Sequence, residues 1–131
     1  MSFPGTVLLA DDEAHIRKYV GLILKQLGAV RILEAANGEE AVALFEREKP
    51  DLVLLDVNMP NVDGLEALRR IRAINPDSIV IMLTSLTTRQ AVEAALELGA
   101  ANYIRKDTPR EEISKALTET IQGCFNDETP A

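Results

Sequence analysis

Residues Asp51 to Gly64 read DLVLLDVNMPNVDG, and this stretch decides how the chain folds. Leu52 to Leu55 form an unbroken apolar run, the pattern of a strand buried on both faces of a sheet. The run delivers one carboxylate, Asp56, into a loop that turns through Met59-Pro60 and leaves by Asp63-Gly64 into a helical pattern. An acid closing a doubly buried strand is poorly solvated and calls for a partner.

The same alternation extends in both directions. Upstream, Thr6 to Ala10 is a short apolar strand ending in Asp11-Asp12-Glu13. Ile16, Val20, Ile23 and Leu27 then form one helical stripe, closed by Gly28, with Arg17, Lys18 and Lys25 off it. Val30 to Ala35 is a second strand, interrupted by charge. Asn37, with Glu40 three residues on, caps a second helix that stops before Pro50. Downstream, Asp63 and Glu66 open a third helix with Leu65, Leu68 and Ile71 on its buried face. Ser78 to Thr84 is a fourth strand. Thr87 and Gln90 form a capping box for a fourth helix, whose inner face includes Ala91, Ala95 and Leu98. Ala101 to Arg105 is a fifth, weaker strand, followed by Lys106 and Asp107. Thr108-Pro109-Arg110-Glu111 starts the last helix, buried through Ile113, Leu117, Ile121 and Phe125.

Five strand–helix alternations predict a parallel sheet with helices on both faces and right-handed crossovers. A closed barrel would need eight. The first, third and fourth strands are unbroken apolar runs and belong in the centre. The second and fifth carry polar interruptions and belong at the edges. Order 2-1-3-4-5, the flavodoxin-like doubly wound arrangement, satisfies both conditions and places ligands at the C-terminal ends of the strands.

At 131 residues the chain is expected to be one domain, with its core over about 5–125 and a short, frayed polar tail at 126–131. The formal charge of −7 disfavours direct binding to nucleic acid or an acidic membrane. The single cysteine, Cys124, excludes an intrachain disulfide and is expected to pack partly buried. No signal-peptide pattern opens the chain, and no apolar run approaches the length of a membrane span. A cytoplasmic location is the expectation.

With strand order 2-1-3-4-5, Asp11 and Asp12, Asp56, Thr84 and Ser85, and Lys106 meet at one end of the sheet. Three carboxylates in one crevice repel, and one takes up a proton unless a cation is present. An all-oxygen donor set suits Mg²⁺. A carboxylate, a divalent cation, a lysine and a hydroxyl together suit the receipt of a phosphoryl group. Each residue alone has a plainer reading. Asp11-Asp12 can cap the first helix, Thr84 can be a strand residue, Lys106 a surface lysine, and Tyr103 an ordinary edge-strand aromatic. The weight lies in four strand ends with compatible chemistry at one place.

The pieces LLADDE, AANGEEA, DLVLLDVNMPNVDGLE, IVIMLTS and LGAANYIRK, taken together, resemble the receiver domain of two-component response regulators over nearly the whole chain. The resemblance implies that Asp56 is the phosphoacceptor, taking phosphate from the phosphohistidine of a sensor kinase or histidine phosphotransfer protein. It implies that Asp12 is a direct Mg²⁺ ligand, that Asp11 acts partly through water, and that Asn58 offers its backbone carbonyl. Thr84 and Lys106 would bind the phosphoryl oxygens, and Tyr103 would be the aromatic that turns inward on activation. The fourth helix, fifth strand and fifth helix would bind a downstream target protein. What is implied is a monomer or weak phosphorylation-dependent dimer, a switch that resets by autodephosphorylation rather than a turnover enzyme. With only a few residues after the last helix, the expectation is a stand-alone receiver, acting on a partner or serving as a phosphorelay intermediate or phosphate sink.

Two departures from the family pattern stand out. Lys106 is followed by Asp107, not proline, so the expectation is either a trans bond or a strained cis exception, with Asp107 adding negative charge near the site. Leu86 occupies a position, two after Thr84, that in the family influences water access to the acyl phosphate. Other functions fit less well. An FMN-binding electron carrier on this fold would meet repulsion from Asp11-Asp12-Glu13 and has no tryptophan to stack a flavin. An aspartyl-phosphate phosphohydrolase would carry an acid where Asn58 stands. His15, off the apolar stripe, belongs to a solvated helix face.

Overall fold

The computed structural model describes residues 5–125, apart from the side chain of Phe125. Both the packing expected of Phe125 and the frayed tail at 126–131 lie outside the described residues. The elements alternate without exception: β1 (Thr6–Ala10), α1 (Ala14–Gln26), β2 (Arg31–Ala35), α2 (Gly38–Glu48), β3 (Leu52–Leu55), α3 (Gly64–Ile74), β4 (Val80–Thr84), α4 (Arg89–Glu97), β5 (Asn102–Arg105) and α5 (Arg110–Phe125). The strands form one sheet in the order β2-β1-β3-β4-β5, and every pairing is parallel. This is the flavodoxin-like order expected from the apolar runs, with the two charge-interrupted strands at the edges.

Side-chain alternation along the three central strands builds two cores, one on each face of the sheet. Val7, Leu9, Leu52, Leu54, Ile81 and Leu83 point to the face covered by α1 and α5, where Val20, Ile23, Leu24, Ile113, Leu117 and Ile121 meet them. Leu8, Ala10, Val53, Leu55, Val80 and Met82 point to the other face, against Ala41 and Phe45 of α2, Ala67, Leu68 and Ile71 of α3 and Ala95 of α4.

Two helix caps form as read. The Asn37 side chain accepts from Glu40 N at 2.8 Å, and that of Asp63 accepts from Glu66 N at 2.9 Å. The cap of α4 is displaced by one residue: Thr88, not Thr87, accepts from the third residue on, Ala91 N, at 3.2 Å. Adjacent threonines offer the same chemistry, and the preceding loop decides which reaches the helix axis. The last helix also starts late, with the Pro109 carbonyl accepting from Glu112 and Ile113 N at 2.9 Å each. Strand ends are trimmed likewise. Val30 lies outside β2 and is 75% exposed, β4 omits Ser78 and Ile79, and β5 omits Ala101. Cys124 is exposed, not partly buried, because the core stripe of α5 ends at Ile121.

The β3–α3 loop is held from below and behind. Val57 and Met59 are buried in the α2–α3–α4 core, and Gly64 N donates to the Val57 carbonyl at 2.8 Å. A Cβ on Gly64 would lie 1.9 Å from the Asp56 carbonyl oxygen, and one on Gly38 would lie 1.9 Å from that of Val62. Both positions require the missing side chain so that helix starts can press against this loop.

Two outcomes follow. Thr88→Ala is expected to lower stability by about 1 kcal/mol in denaturant titration, and Thr87→Ala to leave it nearly unchanged. Gly64→Ala is expected to cost about 1–3 kcal/mol, read as a lower unfolding midpoint, because backbone must shift to admit the methyl group.

Candidate functional site

Parallel register carries past the strand ends and places the site. Asp11 N donates to the Ala35 carbonyl, Asp56 N to that of Ala10 and Lys106 N to that of Thr84, each at 3.0 Å. The residue following each strand is therefore locked to its neighbour by backbone before any side chain is considered. Asp11 and Asp56 arrive almost fully buried, 2% and 3% exposed, and Thr84 is completely buried. Asp12 and the side chain of Asn58 are exposed on the surrounding loops.

One oxygen from each of Asp11, Asp12 and Asp56 lies within 4.8 Å of the others, a spacing that a single cation can bridge. Lys106 closes the cluster from β5. Its Nζ lies 2.8 Å from Asp11 Oδ2, 2.9 Å from Glu13 Oε1 and 3.0 Å from Asp56 Oδ2. Burial alone would weaken the lysine's hold on its proton, but the bonds to Asp11, Glu13 and Asp56 outweigh it and raise its pKa. For Asp11 burial dominates, and the Asp56 charge adds to it, so its pKa rises despite bonds from Lys106 and Glu13 N. Asp56 Oδ1 is buried and has no hydrogen-bond partner among the described residues. An orphaned carboxylate oxygen beside two further acids fits a hard divalent cation such as Mg²⁺.

Above the cluster, the β4–α4 loop ties two further predicted residues together. Leu86 N donates to Thr84 Oγ1 at 3.2 Å, and the Tyr103 hydroxyl donates to the Leu86 carbonyl. Burial, then the Asp56 charge, raises the Tyr103 pKa, which keeps the hydroxyl a donor. The structure thus brings Asp11, Asp12, Asp56, Lys106 and the Thr84–Tyr103 pair to one end of the sheet.

One detail differs from the sequence reading. Asp107 does not charge the site freely, since it is chelated by Arg105 at 3.0 and 2.8 Å on the exposed side. Of the two geometries left open for Lys106–Asp107, the bond is not the cis one. Two residues were missed. Glu13 is an ion partner of Lys106, and the acidic run Asp11-Asp12-Glu13 was its only trace in the sequence. Arg17 donates to the Asp11 carbonyl at 2.6 Å and pairs with Glu34 at 2.8 Å, tying α1 and β2 to the acidic loop. Its place off the apolar stripe disguised it as a solvated charge.

Comparison with known proteins agrees with this geometry. Residues 7–118 match the family model of the response regulator receiver domain. The chain is 35% identical over 121 residues to the nitrate/nitrite response regulator protein NarL of Escherichia coli, covering 92% of this chain but only 56% of that protein. It is 37% identical over 116 residues to the chemotaxis protein CheY of Listeria monocytogenes, covering 88% of this chain and 98% of that one. Its structure matches a chain of the CheX–CheY–BeF₃–Mg²⁺ complex from Borrelia burgdorferi with a TM-score of 0.83 and 31% identity, over 92% of this chain and 88% of that one. The chain belongs to the response regulator receiver domain family, the phosphorylation-dependent signalling module of two-component systems.

Proposed function

We propose that Asp56 is the phosphoacceptor of this receiver. The observation that carries the reading is the buried Asp56 carboxylate, held at 3.0 Å by Lys106 through one oxygen and, among the described residues, unpartnered at the other. A carboxylate oxygen attacks the phosphorus of a phosphohistidine. The new P–O bond forms as the P–N bond breaks, and the electron pair leaves on the imidazole nitrogen. Asp11, Asp12, Asp56 and the backbone carbonyl of Asn58 would hold Mg²⁺, which supplies positive charge to the transferring oxygens. Lys106 neutralises a phosphoryl oxygen from the β5 side, and the Thr84 hydroxyl donates to another.

The switch follows from the bonds at Leu86. Thr84 and Tyr103 share that residue, so turning the Thr84 hydroxyl toward the phosphoryl group shifts the β4–α4 loop and, through it, Tyr103. Phosphorylation then biases an existing equilibrium of the α4–β5–α5 surface, where a target protein binds. The donor is a sensor histidine kinase or histidine phosphotransfer protein, the location is cytoplasmic, and the label is lost by autodephosphorylation. NarL and CheY are regulators of different processes by name, so the partner follows from neither.

Incubation with Mg²⁺ and acetyl phosphate is expected to add one acid-stable, base-labile phosphate. Absence of label, or its survival in Asp56→Asn, would overturn the assignment. Leu86→Glu is expected to speed loss of the label about tenfold, equal to about 1.4 kcal/mol of barrier. An unchanged decay would show that Leu86 does not restrict water.

A further inference from the structure

We infer that Glu13 is the displaceable partner of Lys106: a positioning residue that holds the ammonium in the unphosphorylated receiver and surrenders it to the arriving phosphoryl group. The inference rests on the reading of Asp56 as phosphoacceptor. A lysine ammonium has three N–H donors. Here three carboxylate oxygens lie within 3.0 Å of Lys106 Nζ, one each from Asp11, Glu13 and Asp56. A phosphoryl oxygen can reach this lysine only by exchange with one of them.

Exposure decides which one yields. The side chains of Asp11 and Asp56 are each 3% exposed, so water cannot replace a lost cation there without a large desolvation cost. The Glu13 side chain is 49% exposed, and water takes over its hydrogen bonds as soon as it swings out. Local geometry points the same way. Glu13 is the N-cap residue of α1, yet its side chain makes no capping bond. It extends instead to Lys106, 93 residues along the chain. A side chain at a cap position that ignores the helix and closes a long-range contact at the site is placed for that contact.

Glu13 thus competes with phosphate for one lysine. Its hold on the ammonium lowers the affinity with which the site receives a phosphoryl group.

The test is calorimetric titration with beryllium fluoride in the presence of Mg²⁺, on the parent, Glu13→Gln and Glu13→Asp. Glutamine keeps the length and loses the charge. Aspartate keeps the charge, is one methylene too short to reach Lys106, and is a favoured cap. Both variants are expected to bind beryllium fluoride about two- to fivefold more tightly than the parent, the range of an exposed ion pair. Both should also label from acetyl phosphate with a lower KM and a little-changed maximal rate. A merely structural role would instead move the unfolding midpoint and leave this affinity alone. Unchanged or weaker binding in both variants overturns the inference. Tightening in Glu13→Gln alone also overturns it, because simple charge repulsion then suffices. Failure of the parent itself to label at Asp56 overturns the phosphoacceptor reading first, and is distinguishable from either result.

Discussion

Two carboxylates buried side by side constrain everything at the C-terminal edge of this sheet. Asp11 and Asp56 are nearly sealed from water, and the Asp56 charge adds to the cost of charging Asp11. Among the described residues, Lys106 is the cation paired with both. A lysine can do this only if β5 sits where its end faces the crevice between β1 and β3 across β4. The strand order achieves that, and the backbone bonds from Asp11, Asp56 and Lys106 to the preceding strands keep it in register. The sheet is therefore the device that brings residues 11, 56 and 106 within reach of one another.

The same edge has a rigid floor and a yielding rim. The floor consists of strand ends bonded through their backbones, above cores closed on both faces. Val57, Met59 and the glycine contact at Gly64 extend that rigidity into the β3–α3 loop. The rim consists of exposed or half-exposed groups with replaceable partners: Asp12, Glu13, and the loop that links Thr84 to Tyr103 through Leu86. The interactions at the rim cost little to exchange for water, so a change of charge at the floor would act there first.

The fold was legible because burial is written in apolar runs. LVLL and VIMLT have no polar interruption and stand in the centre, while RILEA and NYIR are broken by charge or amide and stand at the edges. The carboxylates, Thr84 and Lys106 were legible because each ends a strand, where topology converts sequence position into spatial position. Contacts made by flexible side chains across the site left no such mark. Nothing in the spacing of Glu13 and Lys106 announces a 2.9 Å ion pair, and Arg17 looks like any surface arginine of α1 until its hydrogen bonds are seen. The choice of Thr88 over Thr87 was hidden for a similar reason, since propensity does not distinguish neighbours and backbone path does.

Charge balance sets what this site would need in order to receive phosphate. Asp11, Asp12, Glu13 and Asp56 stand against the single ammonium of Lys106, and Asp107 is occupied by Arg105. A crevice with that excess of negative charge repels any phosphodonor, and the repulsion is strongest at the buried floor, where the effective dielectric is low. Lys106 cannot remove it, because its donors already face three of those carboxylates. A divalent ion would change the sign of the problem: Asp12 and the orphaned oxygen of Asp56 would hold it, its charge would offset theirs, and the lysine would be free to trade an exposed partner for a phosphoryl oxygen. The acidic cluster and the lysine are thus complementary halves of one design, in which neither alone would tolerate the anion that the proposed function asks the two to accept together.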